Sequence, residues 1–255
     1  MIDLHSHILP GIDDGAANEK ESLEMMKAAI EDGITIIAAT PHHQNGKFIN
    51  EREVILSGVK RLNELAKEHH LNIQVVPGQE IRLYGEIEED YRHKKLVTLG
   101  GDSEYILVEF SNRHVPRYTE RLFYDIQILG LKPIIVHPER NLEIIESPEK
   151  LIHLIEKGAL VQATAASITG CFGKKVHKFT HQLIEANAVH IIASDAHNTS
   201  SRGFQMKNAV EVLEKKYGAD YVHYLKTNAK DILANNLVYP PQPELYKRKR
   251  ILGLF

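Results

Sequence analysis

Thiols are almost missing from this sequence: Cys171 is the one cysteine among 255 residues, so no internal disulfide can form and no thiolate metal site can be assembled. That usage suits a reducing cytoplasm. Long apolar runs are missing too, since none approaches the ~20 residues needed to span a bilayer. No basic-then-apolar leader precedes Met1-Ile2-Asp3, and a cytoplasmic protein is expected. Excess charge of one sign is also lacking. A formal net charge of −3 offers no global attraction to nucleic acid or an anionic membrane, which leaves nucleic acid an unfavoured partner. Internal repeats, low-complexity linkers and abrupt shifts of composition are absent, and the apolar and charged fractions, 43% and 25%, are those of an ordinary globular chain. A single domain is expected over residues 1–238. Residues 239–255 read as a tail, Pro-rich at Pro240-Pro241-Gln242-Pro243 and then basic at Lys247-Arg248-Lys249-Arg250, solvated rather than bound to a membrane.

What is present is an alternation of short β-branched runs with longer amphipathic stretches, the pattern of parallel strands returned by helices. Strands are expected at residues 2–6, 34–40, 73–77, 105–109, 133–137, 160–163 and 190–194. Helices are expected at 20–32, 54–69, 119–129, 148–157, 174–187 and 201–216, followed by two short ones at 220–226 and 229–235. Such an α/β chain could form an open sheet or a closed barrel. The polar residues favour the barrel, because they recur at the C-terminal ends of the strands, where a barrel gathers its functional groups at one mouth.

The first of these ends is Asp3-Leu4-His5-Ser6-His7, where alternation along a strand puts Asp3, His5 and His7 on one face. Asp13-Asp14-Gly15 follows in the adjoining loop, and capping or turn formation before Lys20 accounts for at least one of those carboxylates. His42 follows the apolar run ending at Ala39, Glu80 follows Val75-Val76, Glu109 ends a third run, His137 a fourth, and Asp195 and His197 a fifth. Each alone has a plain structural explanation, as a satisfied histidine or a salt-bridge partner. Together they do not, because Asp14, Glu80, Glu109 and Asp195 around one mouth would repel one another strongly without cations. The candidate ligands exceed what one tetrahedral zinc can use and suit two or three ions with shared carboxylates. Mixed oxygen and nitrogen donors favour manganese, iron or zinc over calcium or magnesium alone. Such clusters serve phosphate-ester hydrolysis, and Arg140 and Arg202, next to His137 and His197, offer planar donors to phosphoryl oxygens; for either arginine alone a surface ion pair is an equal reading.

The set His5-Ser6-His7, Asp14-Gly15, Pro41-His42, Glu80, Glu109, His137-Pro138-Glu139-Arg140 and Asp195-Ala196-His197 resembles the polymerase and histidinol phosphatase (PHP) superfamily. The opening from His5 to Gly15 is similar to the bacterial manganese-dependent protein tyrosine phosphatases of capsule and exopolysaccharide systems, and the match runs from residue 2 to about residue 235. The resemblance implies a distorted (β/α)7, TIM-like barrel holding three metal ions, usually manganese, with iron, zinc or magnesium as substitutes. It implies His5, His7, Asp14, His42, Glu80, Glu109, His137, Asp195 and His197 as ligands, Arg140 and Arg202 on the phosphate, and metal-bound hydroxide as nucleophile. It also implies Asp14 or His42 as a proton source for the phenolate, and a phosphotyrosine protein as substrate, typically a cognate bacterial tyrosine kinase controlling polysaccharide synthesis. His43 is expected not to ligate, and Lys47, Phe48, Arg113 and Tyr118 are minor candidates for contacts around the phosphotyrosine. Three rivals remain: a small-molecule phosphatase of the histidinol phosphate kind, a PHP phosphodiesterase, which the acidic balance disfavours, and a silent interaction module, which an intact ligand set disfavours.

Overall fold

The computed structural model describes residues 1–244, so the basic stretch from Lys247 and its apolar end lie outside the described residues. Every expected strand is present: β1 (Ile2–Ser6), β2 (Ile36–Ala39), β4 (Gln74–Pro77), β6 (Tyr105–Glu109), β7 (Lys132–Val136), β8 (Leu160–Thr164) and β9 (Ile191–Ala193). Two further short strands, β3 (His42–His43) and β5 (Glu80–Arg82), prolong β2 and β4 beyond a break. The breaks have local causes. Pro41 has no N–H for the ladder, and Gly78 lies so close to the neighbouring strand that a Cβ there would meet Thr40 Cγ2 at 2.8 Å. The offset backbone is paired across the gap by Gly78 N on Ala39 O and Glu80 N on Pro41 O, both at 3.0 Å.

All strand pairs are parallel, in the orders β1-β2-β4 and β3-β5-β6-β7-β8-β9. Because β3 and β5 continue β2 and β4, the nine strands follow seven paths. The circle closes where β1 meets the end of β9, through Asp195 N on His5 O at 2.9 Å and His7 N on Ala196 O at 2.8 Å. It is distorted between β4 and β6, where the loop before β6 intervenes, with Gly100 N on Pro77 O and Leu99 N on Tyr105 O.

Alternate strand residues divide the core in two. Leu4, Ala38, Val76, Leu107, Ile134, Val136, Leu160 and Ile191 fill the lumen, and Ala229 and Ile232 close its base. Ile37, Val75, Ile106, Val108, Ile135, Val161 and Ile192 face the opposite way, into the layer of helices. That layer comprises α1 (Glu19–Glu31), α2 (Arg52–Glu68), α3 (Ile87–Arg92), α4 (Thr119–Ile128), α5 (Leu142–Glu146), α6 (Glu149–Glu156), α7 (Ala165–Thr169), α8 (Lys174–Glu185), α9 (Met206–Tyr217) and α10 (Ala219–Leu233). The short helices α3, α5 and α7 are too brief to show a period in sequence.

Three expectations need correction. The two short helices near the end are one, α10: Thr227 and Asn228 are weak helix formers, but Asn228 is buried and its Nδ2 donates to His190 O at 2.8 Å, so packing overrides propensity. Helix α9 begins at Met206 rather than 201, because Asp32 caps it from a distant turn through Met206 N at 2.6 Å and Lys207 N at 3.2 Å. Arg202 therefore stays in a loop. Finally, Asp3 does not share a face with His5. Strand β1 carries a bulge, its register running Asp3↔Ile37 and then Ser6↔Ala39, three steps against two. Asp3 pairs beside Ile37 on the helix side, and Ser194 holds its carboxylate at 2.5 Å (Oγ) and 2.9 Å (N). The extra residue lets both Leu4 and His5 turn inward.

The start of the expected tail lies against the body, Glu244 N donating to Ala186 O at 2.8 Å. Since Ile232 is fully buried in the plug beneath the lumen, Ile232→Ala should lower unfolding free energy by roughly 2–5 kcal/mol in a denaturant titration. An unshifted midpoint would show that α10 does not seal the barrel.

Candidate metal centre

All nine side chains expected to ligate arrive at the C-terminal ends of the strands. His5 comes from β1, His7 from the residue just beyond it, Asp14 from the loop that follows, His42 from β3, Glu80 from β5 and Glu109 from β6. His137 follows β7, and Asp195 and His197 follow β9. Two of them sit on left-handed backbone that non-glycine residues rarely adopt, His137 at φ 38° and Asp195 at φ 52°. Such positions cost on the order of 1–3 kcal/mol each. They are held by His137 N on Gln162 O at 2.8 Å and Asp195 N on His5 O at 2.9 Å.

Three overlapping donor groups result. In the first, the Nε2 atoms of His5 and His7 lie 3.5 and 3.4 Å from Glu80 Oε2, and 3.5 and 3.3 Å from Asp195 Oδ1. In the second, Glu80 meets His42 Nδ1 at 2.6 Å and His137 Nε2 at 2.7 Å, with Glu109 Oε2 3.8 Å from His42 Nδ1. In the third, Asp14 Oδ1 lies 3.3 Å from His42 Nε2 and 3.4 Å from His197 Nε2, beside the His7 ring. Glu80 Oε2, His42 Nδ1 and His197 Nε2 are buried and close to these neighbours, yet make no hydrogen bond of good geometry. Atoms that converge without donating to one another fit a shared cation, and the nitrogen and carboxylate donors suit a divalent transition metal.

The outward nitrogens of these rings are occupied. His5 Nδ1 donates to Gln162 Oε1 at 2.9 Å, His7 Nδ1 to Asp13 Oδ2 at 2.7 Å, and His197 Nδ1 to Asp195 O at 2.9 Å. Each bond turns an Nε2 toward the centre, the usual outer support of imidazole ligands. Asp13 also accepts from Gly15 N and His42 N, so the aspartate that reads as a turn former in sequence orients two site residues. Gln162 carries no signal in the sequence beyond interrupting the apolar run of β8, and only its place opposite His5 gives it meaning. Gly15 admits no side chain at all, since a Cβ would fall 1.9 Å from His7 O.

Over residues 1–234 the sequence matches the capsular polysaccharide synthesis family CpsB/CapC. This chain belongs to that family. It is 46% identical over 255 residues to the tyrosine-protein phosphatase YwqE of Bacillus subtilis, with both chains covered in full. It is 32% identical over 244 residues, 93% of this chain and all of the other, to the tyrosine-protein phosphatase CpsB of Streptococcus pneumoniae. The crystal structure of YwqE, described with CpsB as a unique metal-dependent tyrosine phosphatase, superposes with a TM-score of 0.94 at 47% identity, covering 97% of this chain and 100% of that one. A probable 2-pyrone-4,6-dicarboxylic acid hydrolase from Acinetobacter baumannii shares only the barrel fold, at a TM-score of 0.53 and 14% identity over 91% of this chain and 98% of that one.

In this CpsB/CapC member the donors open onto a cleft of about 640 Å³. Arg140 Nη2 donates to Asp195 Oδ2 at 2.7 Å, and Arg202 reaches Asp195 at 3.4 Å and Asp14 at 3.5 Å, so both expected arginines line the cleft. Arg82, not expected, donates to Glu109 Oε2 at 2.9 Å and lines it too. Of the minor candidates, Arg113 lines the cleft. Phe48 stacks near the His42 ring with Lys47 over it, and Tyr118 bonds Leu83 O; none of these three is among the lining residues. His43 is buried behind the site with neither ring nitrogen hydrogen-bonded, and it belongs to none of the donor groups.

Burial opposes the charged forms, and partners overrule it at His5, His7, His42, Glu80 and Asp195 but not at Glu109 or His137. Glu80, despite burial, is held well below the ordinary carboxylate range by His42 and His5, and Asp195 likewise by Arg140 and His7. Burial would lower His42, but Glu80 and Asp14 raise it to about 10; His5 and His7 are also raised, by Glu80 and by Asp13. Glu109 is pushed up to about 7 by burial and by Glu80, while burial and Arg140 push His137 down to about 4.

In chelated protein these shifts fix a pH dependence. Folding favours the protonated forms of His5, His7 and His42, a stabilisation complete below pH 6.5 and lost as pH rises through the folded value of His42, about 10. His137 and His197 are shifted the other way and act below 6.5. The melting temperature of chelated protein should therefore fall between pH 6.5 and 10, while apparent metal affinity rises as the ligands lose their protons. A flat melting profile across that window would contradict the described imidazole–carboxylate contacts.

Proposed function

We infer that this chain is a metal-dependent protein tyrosine phosphatase that hydrolyses phosphotyrosine, its substrate a cognate bacterial tyrosine kinase controlling polysaccharide synthesis. The observation that carries this reading is the convergence of three donor groups beside Arg140 and Arg202, in a chain aligned end to end with YwqE. The proposed cofactor is three manganese ions. His5, His7, Glu80 and Asp195 would hold one, Glu80, Glu109 and His137 a second, and Asp14, His42 and His197 a third, so that each imidazole serves one ion. Such ions, when bound, supply Lewis acidity to the phosphoryl group and activate water as a nucleophile.

The chain's own groups account for the rest. Arg140 and Arg202 offer guanidinium donors to the equatorial phosphoryl oxygens, whose charge grows in the transition state. Phe172 and Leu142, both on the cleft wall, supply the apolar surface that a phenol ring needs. Arg140 lies 5.3 Å over the Phe172 ring, which steadies both groups. Asp14 and His42, the residues expected to protonate the leaving phenol, line the same cleft 3.3 Å apart; as ligands of a loaded centre they would hold no proton to give, and the leaving oxygen would take its proton from water in the open cleft. Among the described residues no helix is long and apolar enough to cross a membrane, and a cytoplasmic site of action is proposed.

Chelated protein given back manganese should release phosphate quickly from a phosphotyrosine peptide and far more slowly from histidinol phosphate. The reverse preference would keep the metal site but transfer the enzyme to small-molecule substrates. Asp195→Ala should lose metal content while keeping its far-ultraviolet circular dichroism. Arg140→Ala should lower kcat by roughly two to three orders of magnitude, as loss of an electrostatic donor does elsewhere. Full turnover by metal-depleted Asp195→Ala would sink the assignment.

A further inference from the structure

Four arginines line the cleft, Arg82, Arg113, Arg140 and Arg202, and three of them are engaged by the site's own carboxylates. Arg82 pairs with Glu109 at 2.9 Å, Arg140 with Asp195 at 2.7 Å, and Arg202 with Asp195 and Asp14 at 3.4 and 3.5 Å. Arg113 differs. Among the described residues it makes no ion pair, and its side chain is exposed at the rim. An unpaired guanidinium there directs its field into the open cleft.

The loop beneath Arg113 is fixed at several points. Asn141 Nδ2 donates to Ser111 O at 2.6 Å, Leu142 N to Asn112 O at 2.9 Å, Ser111 Oγ to His114 O at 3.0 Å, and Val115 N to Glu143 Oε2 at 2.7 Å. The backbone is thus held before any ligand arrives, which limits the ordering cost of binding. On the cleft wall Arg140 and Phe172 are half-buried, whereas Leu142 and Arg113 are exposed. A phosphate held by Arg140 and a phenol ring against Phe172 would leave the flanking peptide beside Arg113.

We propose that the cleft prefers phosphotyrosines flanked by a carboxylate side chain, and that Arg113 pairs with that carboxylate. This rests on the tyrosine phosphatase reading and names the substrate class of the same site. A cleft of about 640 Å³ is roughly 9 Å across, or about three residues of extended peptide at ~3.3 Å each, so the acid lies within about three positions of the phosphotyrosine. The effect is a few-fold one, because an exposed ion pair in water is weak and screened by salt.

The test uses the full chain reconstituted with manganese and matched phosphotyrosine peptides carrying Glu or Gln at each position within about three residues of the phosphotyrosine. The readout is the Glu-to-Gln ratio of kcat/KM. At one position or more, that ratio should be about threefold at low salt, fall to about one in Arg113→Ala, invert in Arg113→Glu, and shrink as salt is raised. A ratio of one at every position, or a preference for Glu that survives Arg113→Glu, overturns the proposal while leaving the phosphatase reading intact. Failure to turn over any phosphotyrosine peptide overturns both.

Discussion

A single buried carboxylate organises the mouth of this barrel. Glu80 is sealed from solvent, and its two oxygens lie 3.5, 3.4, 2.6 and 2.7 Å from imidazole nitrogens of His5, His7, His42 and His137. Arg140 pairs with Asp195 and Arg82 with Glu109 in the same cluster, but among the described residues no arginine pairs with Glu80, so its charge is compensated by protons or cations held among the rings. Everything around Glu80 serves that convergence, from the outer hydrogen bonds of Asp13 and Gln162 to the left-handed backbone at His137 and Asp195.

The irregular features of the barrel are the means by which regular strands reach one point. A bulge in β1 turns His5 inward directly after Leu4. Breaks at Pro41 and Gly78 restart two strands as β3 and β5, and those restarted pieces carry His42 and Glu80. The asymmetry between β4 and β6 lies beside these breaks, so the distortion of the barrel and the delivery of the candidate ligands are one piece of geometry.

Around the donors, the cleft wall combines charged and apolar side chains. Arg140 and Arg202 lean on Asp195 and Asp14, which holds their guanidinium groups near the place a phosphoryl group would take. Phe172, Leu142 and Arg113, the last on its pinned loop, line the same cleft. A phosphorylated aromatic side chain presents the same two chemistries, an anion and an apolar ring, which agrees with the proposed phosphotyrosine substrate.

Residue types and their period fixed, from the sequence alone, the seven strands, the major helices, the barrel class and the nine side chains at the mouth, because alternation and strand-end polarity are local properties. The tertiary structure decided what depends on contacts between distant segments. Asn228 binding His190 O merges two expected helices into α10, and Asp32 capping Met206 leaves Arg202 in the cleft. The register of β1 against β2 sends Asp3 to Ser194 rather than to the centre. Gln162, Asp13 and Arg82 acquire their roles only from the partners opposite them, His5, His7 and Glu109. A hydrogen bond between residues far apart in the chain leaves no periodic trace in it, and so these parts of the site could be read only after folding.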